Sequence, residues 1–240
     1  MKKQKQKKIV YIFIKMQKIR VKICCICSVE EAKLATAYGA SALGLVGHMP
    51  SGPGVISNRR IYKITNSAPP MVSTFLLTSK TKSSAIIDHY KKVNTSTIQI
   101  VDALENRDYQ HIRNELPHVK IVQVVHVLDD KSVEEAIGVS KHVDAILLDS
   151  GNPNLKTKKL GGTGHTHNWD LSRKIREQID TPVFLAGGIN SNNVKKAIEH
   201  VQPFGVDLCS SVRTNGKLDE NKLSEFFKII ESINYNQISI

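Results

Sequence analysis

Aromatic side chains are scarce: six Phe, six Tyr and one Trp make up 5% of 240 residues. Grooves that hold single-stranded nucleic acid combine basic side chains with aromatic ones. No such stripe occurs here, so nucleic acid is not expected as a partner despite a net charge of +12. Half of that charge lies in residues 1–15, which hold six lysines and no acid. The dispersed remainder suits an anionic small molecule. Long apolar runs are missing too. Ile9-Val10-Tyr11-Ile12-Phe13-Ile14 stops at Lys15 with no small-residue cleavage site behind it, which argues against a secretory leader. No run approaches the ~18 residues that would span a bilayer. A cytoplasmic location is expected, with no membrane partner and reduced thiols. No linker rich in Pro, Gly or Ser divides the chain. Residues 1–19 therefore read as a basic extension outside the fold, and 20–240 as one domain.

Hydrophobic residues make up 40% of the chain, enough for a sizeable core. Nearly continuous apolar runs recur at Val21–Cys24, Ala42–Val46, Val72–Leu77, Thr97–Val101, Lys120–Val127, Ala145–Asp149, Pro182–Ala186 and Phe204–Cys209. Strands covered on both faces read this way. Between them the helical period appears, as in Val194, Ala197, Ile198 and Val201. Ser28 and Asp219 stand where two helices would start, and Ser28 with Glu31 completes a capping box. Eight β-then-α units in about 215 residues favour an α/β fold of the (β/α)8 barrel type over an open sheet.

In such a barrel, chemistry belongs where strands end. "LAGGIN" places Gly187 and Gly188 after the seventh strand, and "DLCSSVR" places Ser210 and Ser211 after the eighth. Glycine N–H groups at a helix start bind phosphate, whereas isolated Gly-Gly pairs also serve plain turns. Asp149 ends "AILLD"; it is either a cap or a general acid whose apolar walls raise its pKa. Three of four cysteines fall in "RVKICCIC". Alternation along a strand would send Cys24 and Cys25 to opposite faces, so they suit neither one metal nor one disulfide. His48, His126, His165 and His167 all sit at strand ends, which leaves a metal-dependent epimerase or lyase open. A non-catalytic phosphosugar sensor also stays open.

Together these motifs resemble the phosphoribosylanthranilate isomerase family. The resemblance runs over residues 20–232 and is clearest in "VKICCICSVEEAKLATAYGASALGLV", "GGTGHTHNWDLS", "FLAGGINSNNVKKAI" and "PFGVDLCSSV". It implies an Amadori rearrangement of a phosphorylated small molecule in tryptophan biosynthesis, with Cys24 as base and Asp149 as acid. Lys22, two residues before Cys24, is a candidate for favouring the thiolate. Phosphate binding is implied for Gly187, Gly188, Ser210 and Ser211, and substrate binding for Asp207, Gly162, Gly164 and Arg213. No metal or organic cofactor is implied, and a monomer or homodimer is expected. Four departures stand out. Cys25 replaces a usual glycine, Gly54 stands near a usual arginine that meets the anthranilate carboxylate, His167-Asn168 replaces an aromatic-acidic pair, and Arg213 replaces a common acid. The missing arginine is expected to weaken turnover of phosphoribosylanthranilate unless Arg213 swings across to replace its charge.

Overall fold

The computed structural model describes residues 18–152 and 164–238; the N-terminal lysines lie outside them. Eight parallel strands close into a barrel in chain order. They are β1 Arg20–Ile23, β2 Ala42–Val46, β3 Ser73–Thr78, β4 Thr97–Ile100, β5 Lys120–His126, β6 Ala145–Asp149, β7 Val183–Leu185 and β8 Gly205–Leu208. The helices between them are α1 Val29–Ala37, α2 Asn58–Ser67, α3 Ser83–Lys91, α4 Asn106–Glu115, α5 Lys131–Ser140, α6 Trp169–Gln178 and α7 Val194–Val201, with α8 Glu220–Ile238 last. A small hairpin, Arg213–Thr214 with Lys217–Leu218, precedes α8.

Alternation along each strand builds two cores. Val21, Ile23, Leu148, Val206 and Leu208 face the helices and pack with Ile61, Ile112, Ala136 and Ile198. Leu147, Ala145, Phe75, Phe184 and Val124 fill the barrel interior. Each strand thus buries both faces, and its next inward position at the C-terminal end becomes a site position. The anticipated helix starts are present: Ser28 Oγ accepts from Glu31 N at 3.2 Å, and Asp219 Oδ1 accepts from Lys222 N at 3.2 Å. Glu31 reaches back to Cys27 N at 3.0 Å, one residue earlier than a standard capping box.

His89 in α3 is buried against β3. Its Nδ1 lies 3.3 Å from Thr78 Oγ1 and its Nε2 3.0 Å from Asn58 Oδ1. Burial, with Lys80 and Lys92 adding, pushes its pKa down from 6.5 to about 4. Between those values the unfolded chain takes up a proton that the folded chain refuses, so stability is lost as pH falls through that window. The Tm is expected to decline from pH 6.5 toward pH 4 and to decline less steeply in His89→Gln. An identical slope in the variant would contradict this. His167, pushed down to about 4 by burial, leaves part of the slope in place.

Candidate active site

The register of β1 against β8 sets Lys22 opposite Asp207 inside the barrel. Lys22 is 0% exposed, its Nζ lies 2.8 Å from Asp207 Oδ2, and it sits 5.4 Å from the centre of the Phe75 ring. Burial opposes the ammonium charge, but Asp207 and the neighbouring Cys24 and Cys25 outweigh it and hold the pKa above its ordinary value. Gly44 in β2 makes room for this group. A Cβ there would stand 2.8 Å from Cys24 Sγ and 3.1 Å from Lys22 Nζ. Sequence reasoning passed over Gly44; the available signal was one glycine inside the otherwise apolar Ala42–Val46.

Asp149 ends β6 opposite His126. Its Oδ1 accepts from Ser150 N at 2.7 Å. Burial pushes its carboxyl up, and the bond from Ser150 and the charges of His126 and Lys22 only partly offset that. Asp149, Cys24 and Asp207 line one cavity at the C-terminal mouth. Asp207 Oδ1 and Gln99 Oε1, also from cavity-lining residues, are buried without a protein hydrogen-bond partner. Gln99 was another residue the sequence did not single out.

The far end of the cavity is formed by the loops after β6, β7 and β8. Gly187 and Gly188 have φ of 75° and 62°. Asn190 and Asn193 side chains donate to Gly188 O at 3.0 and 2.9 Å, which fixes the loop just before α7. A Cβ on Gly188 would lie 2.7 Å from the His165 carbonyl carbon, so only glycine permits this approach of two backbones. Ser210 and Ser211 open a 3-10 turn, and the Ser211 hydroxyl is buried without a partner. Gly164 lines the same end; Gly162 falls outside the described residues.

Two expectations need correction. Cys24 and Cys25 do not diverge: β1 ends at Ile23, and Cys25 takes φ 63°, so alternation lapses and both thiols line the cavity. Cys27 packs instead with the helix-side core. Arg213 does not reach across the cavity. Its guanidinium donates to Glu31 Oε1 at 3.0 Å, Cys25 O at 2.6 Å and Cys24 O at 3.2 Å, and its side chain is 8% exposed. It is a latch between β1, α1 and the small hairpin. The histidines do not converge either. His126 meets Val101 O, His167 meets Ser172 Oγ, and His48 and His165 are exposed. Among the described residues no three His, Cys, Asp or Glu side chains are grouped to hold a metal ion.

A family model for N-(5'-phosphoribosyl)anthranilate isomerase matches residues 21–229. The chain belongs to the phosphoribosylanthranilate isomerase family. It is 32% identical over 236 residues to N-(5'-phosphoribosyl)anthranilate isomerase 1 of Methanosarcina mazei, covering 92% of this chain and 98% of that one. The Methanocella arvoryzae isomerase is 30% identical over 87% of this chain and 95% of its own. Among solved structures, the Thermotoga maritima isomerase superposes with a TM-score of 0.77 at 28% identity, over 89% and 99% of the two chains. Another isomerase structure, in complex with reduced 1-(o-carboxyphenylamino)-1-deoxyribulose 5-phosphate, gives a TM-score of 0.74 at 26% identity, over 89% and 99%.

Two departures from the family pattern are one event in space. A Cβ on Gly54 would stand 2.5 Å from the Cβ of Cys25. A side chain at 25 therefore excludes one at 54. Gly54→Ala is expected to lower the Tm, and Cys25→Gly/Gly54→Ala to recover part of that loss, because the side-chain clash is relieved while the 3.0 Å approach to the Cα of residue 25 and the φ of 80° at residue 54 still disfavour alanine. Strict additivity of the two substitutions would refute the coupling.

Proposed function

We propose that this chain rearranges N-(5'-phosphoribosyl)anthranilate to the 1-deoxyribulose 5-phosphate product in tryptophan biosynthesis, with Asp149 as general acid and Cys24 as general base. The observation that carries this reading is the cavity itself. Cys24 and Asp149 line it together, and the Gly187-Gly188 and Ser210-Ser211 loops close one end.

A 5-phosphate would sit against those loops, where backbone N–H groups and the start of α7 favour an anion. Asp149, whose burial favours its protonated form, gives its proton to the ribose ring oxygen, and the ring opens to a Schiff base. Cys24 as thiolate removes the C2′ proton. The resulting enol form tautomerises to the ketone. The Lys22 ammonium shares the space beneath Cys24 that Gly44 leaves open, and so serves as the counter-charge of the sulfur anion. Asp207 Oδ1 and Ser211 Oγ, buried and unpartnered, are hydrogen-bonding groups for the substrate. Met49, Gly52 and Pro53 line the wall where the aromatic ring would lie. One acid and one base suffice for these steps, and no cofactor is invoked.

We place the reaction in the cytoplasm, in a monomer or a homodimer. Among the described residues no helix is long and apolar enough to cross a membrane. The direct biological test is complementation of a tryptophan auxotroph that lacks the isomerase. Growth without tryptophan is expected. No growth, with folded protein present in the cells, would overturn the assignment.

A further inference from the structure

Three of the four cysteines meet on one wall of the cavity, and the proposed reaction uses one of them. Cys24 and Cys25 follow β1, and Cys209 follows β8, its neighbour in the barrel. The two strands are in register at Ile23 and Leu208, and Cys24 N donates to Leu208 O at 2.7 Å. The positive φ at Cys25 breaks the strand there, and its Sγ lies 2.8 Å from Cys209 Sγ. A disulfide bond is about 2.05 Å long, so the sulfurs need to close by only about 0.8 Å. The other side of Cys25 is already filled by the loop after β2, with Pro53 O at 3.6 Å and Gly54 against its Cβ.

We infer that Cys25 and Cys209 form a reversible dithiol–disulfide pair, oxidised by low-molecular-weight disulfides, that slows turnover at the adjoining site. The two thiols are unequal. Hydrogen bonding to Cys25, with Arg213 close by, lowers the Cys209 pKa, whereas bonds to Cys209 and Cys24 and burial raise that of Cys25. Cys209 is thus the attacking thiolate. It attacks one sulfur of a disulfide R–S–S–R, forms Cys209–S–S–R and releases RS⁻. Cys25 gives up its proton to that RS⁻, attacks the Cys209 sulfur and expels the second RS⁻, which is protonated from solvent. Two protein thiols are oxidised to one disulfide, and R–S–S–R is reduced to two RSH. Cys25 is the resolving thiol, because its Sγ is the one that lies 2.8 Å from Cys209 Sγ. Closure moves the neighbours of Cys24 and Ser210, and a shift near 1 Å in such a site costs on the order of 100-fold in rate.

The test equilibrates full-length protein with oxidised glutathione, then measures peptide masses and turnover of phosphoribosylanthranilate. The activity readout rests on the isomerase reading; the mass readout does not. Expected is a Cys25–Cys209 linked peptide, two hydrogens lighter and free of glutathione. Turnover is expected to fall at least about ten-fold and to return with dithiothreitol. Cys25→Gly, which suits the backbone at that position, should trap one glutathione on Cys209. Cys209→Ser should form no link and keep its own turnover through the treatment. Absence of the linked peptide overturns the pair. A link that forms with unchanged turnover overturns the regulatory claim. Equal loss of turnover in Cys209→Ser, with glutathione on Cys24, overturns the regulatory claim. Absence of any isomerase turnover in untreated protein counts against the proposed function and the regulatory claim, while the masses still decide the pair.

Discussion

Asp149→Asn is expected to cut kcat by roughly 10²–10⁴ while the barrel stays folded, the usual contribution of a positioned proton donor. Asparagine matches the shape of aspartate and keeps an oxygen to accept from Ser150 N, now at 2.7 Å, but it has no acidic proton. The same substitution has an opposite expected effect on stability. Burial raises the Asp149 pKa, so between its ordinary and raised values the folded chain holds more protons than the unfolded one. Stability therefore falls as pH rises through that window, and any ionised form of the buried carboxylate burdens the fold. The asparagine variant should melt at or above the parent at pH 7. Lower turnover with an undiminished Tm would separate a chemical role from a structural one. A lowered Tm with lost turnover would instead mark Asp149 as a structural cap.

Lys22→Met is expected to destabilise by about 3–5 kcal/mol, because it strands the Asp207 carboxylate inside the barrel. Lys22 is fully buried, and its partner is 9% exposed, so little solvent screening weakens the pair. For a chain of this size the loss corresponds to a Tm drop of roughly 6–20 °C. Lys22→Met/Asp207→Asn should recover most of that loss, since no uncompensated charge remains. Denaturant unfolding of both variants decides the matter. Equal instability of the single and the double variant would mean that methionine packing, not the stranded charge, is at fault.

The barrel was legible because each strand buries both faces and so reads as an unbroken apolar run. The runs Ala42–Val46 and Ala145–Asp149 match β2 and β6 to the residue. Asp149 and the Gly187-Gly188 turn were legible for a related reason: polar or flexible residues that interrupt such runs mark strand ends. Contacts between distant segments were not legible. Lys22 and Asp207 are 185 positions apart, and only barrel closure and the register of β1 with β8 bring them together. Cys25 was misplaced because alternation was extended past Ile23, where a residue with φ 63° ends it. Arg213 looked like a substrate ligand from its loop, but Glu31 in α1 claims it. The exclusion between Cys25 and Gly54 looked like two separate departures until the loop after β2 was seen to fold over the end of β1.

The central claim is that Cys24 and Asp149 move the protons of one reaction. It is tested most directly by following phosphoribosylanthranilate turnover in the parent, Cys24→Ala, Asp149→Asn and the double variant side by side. The parent should turn over. Each single variant should lose roughly 10²–10⁴ in kcat, and the double should fall far less than the product of the two losses, as residues that act as a unit do. Near-parental turnover in either single variant, or losses that simply multiply in the double, would contradict the account.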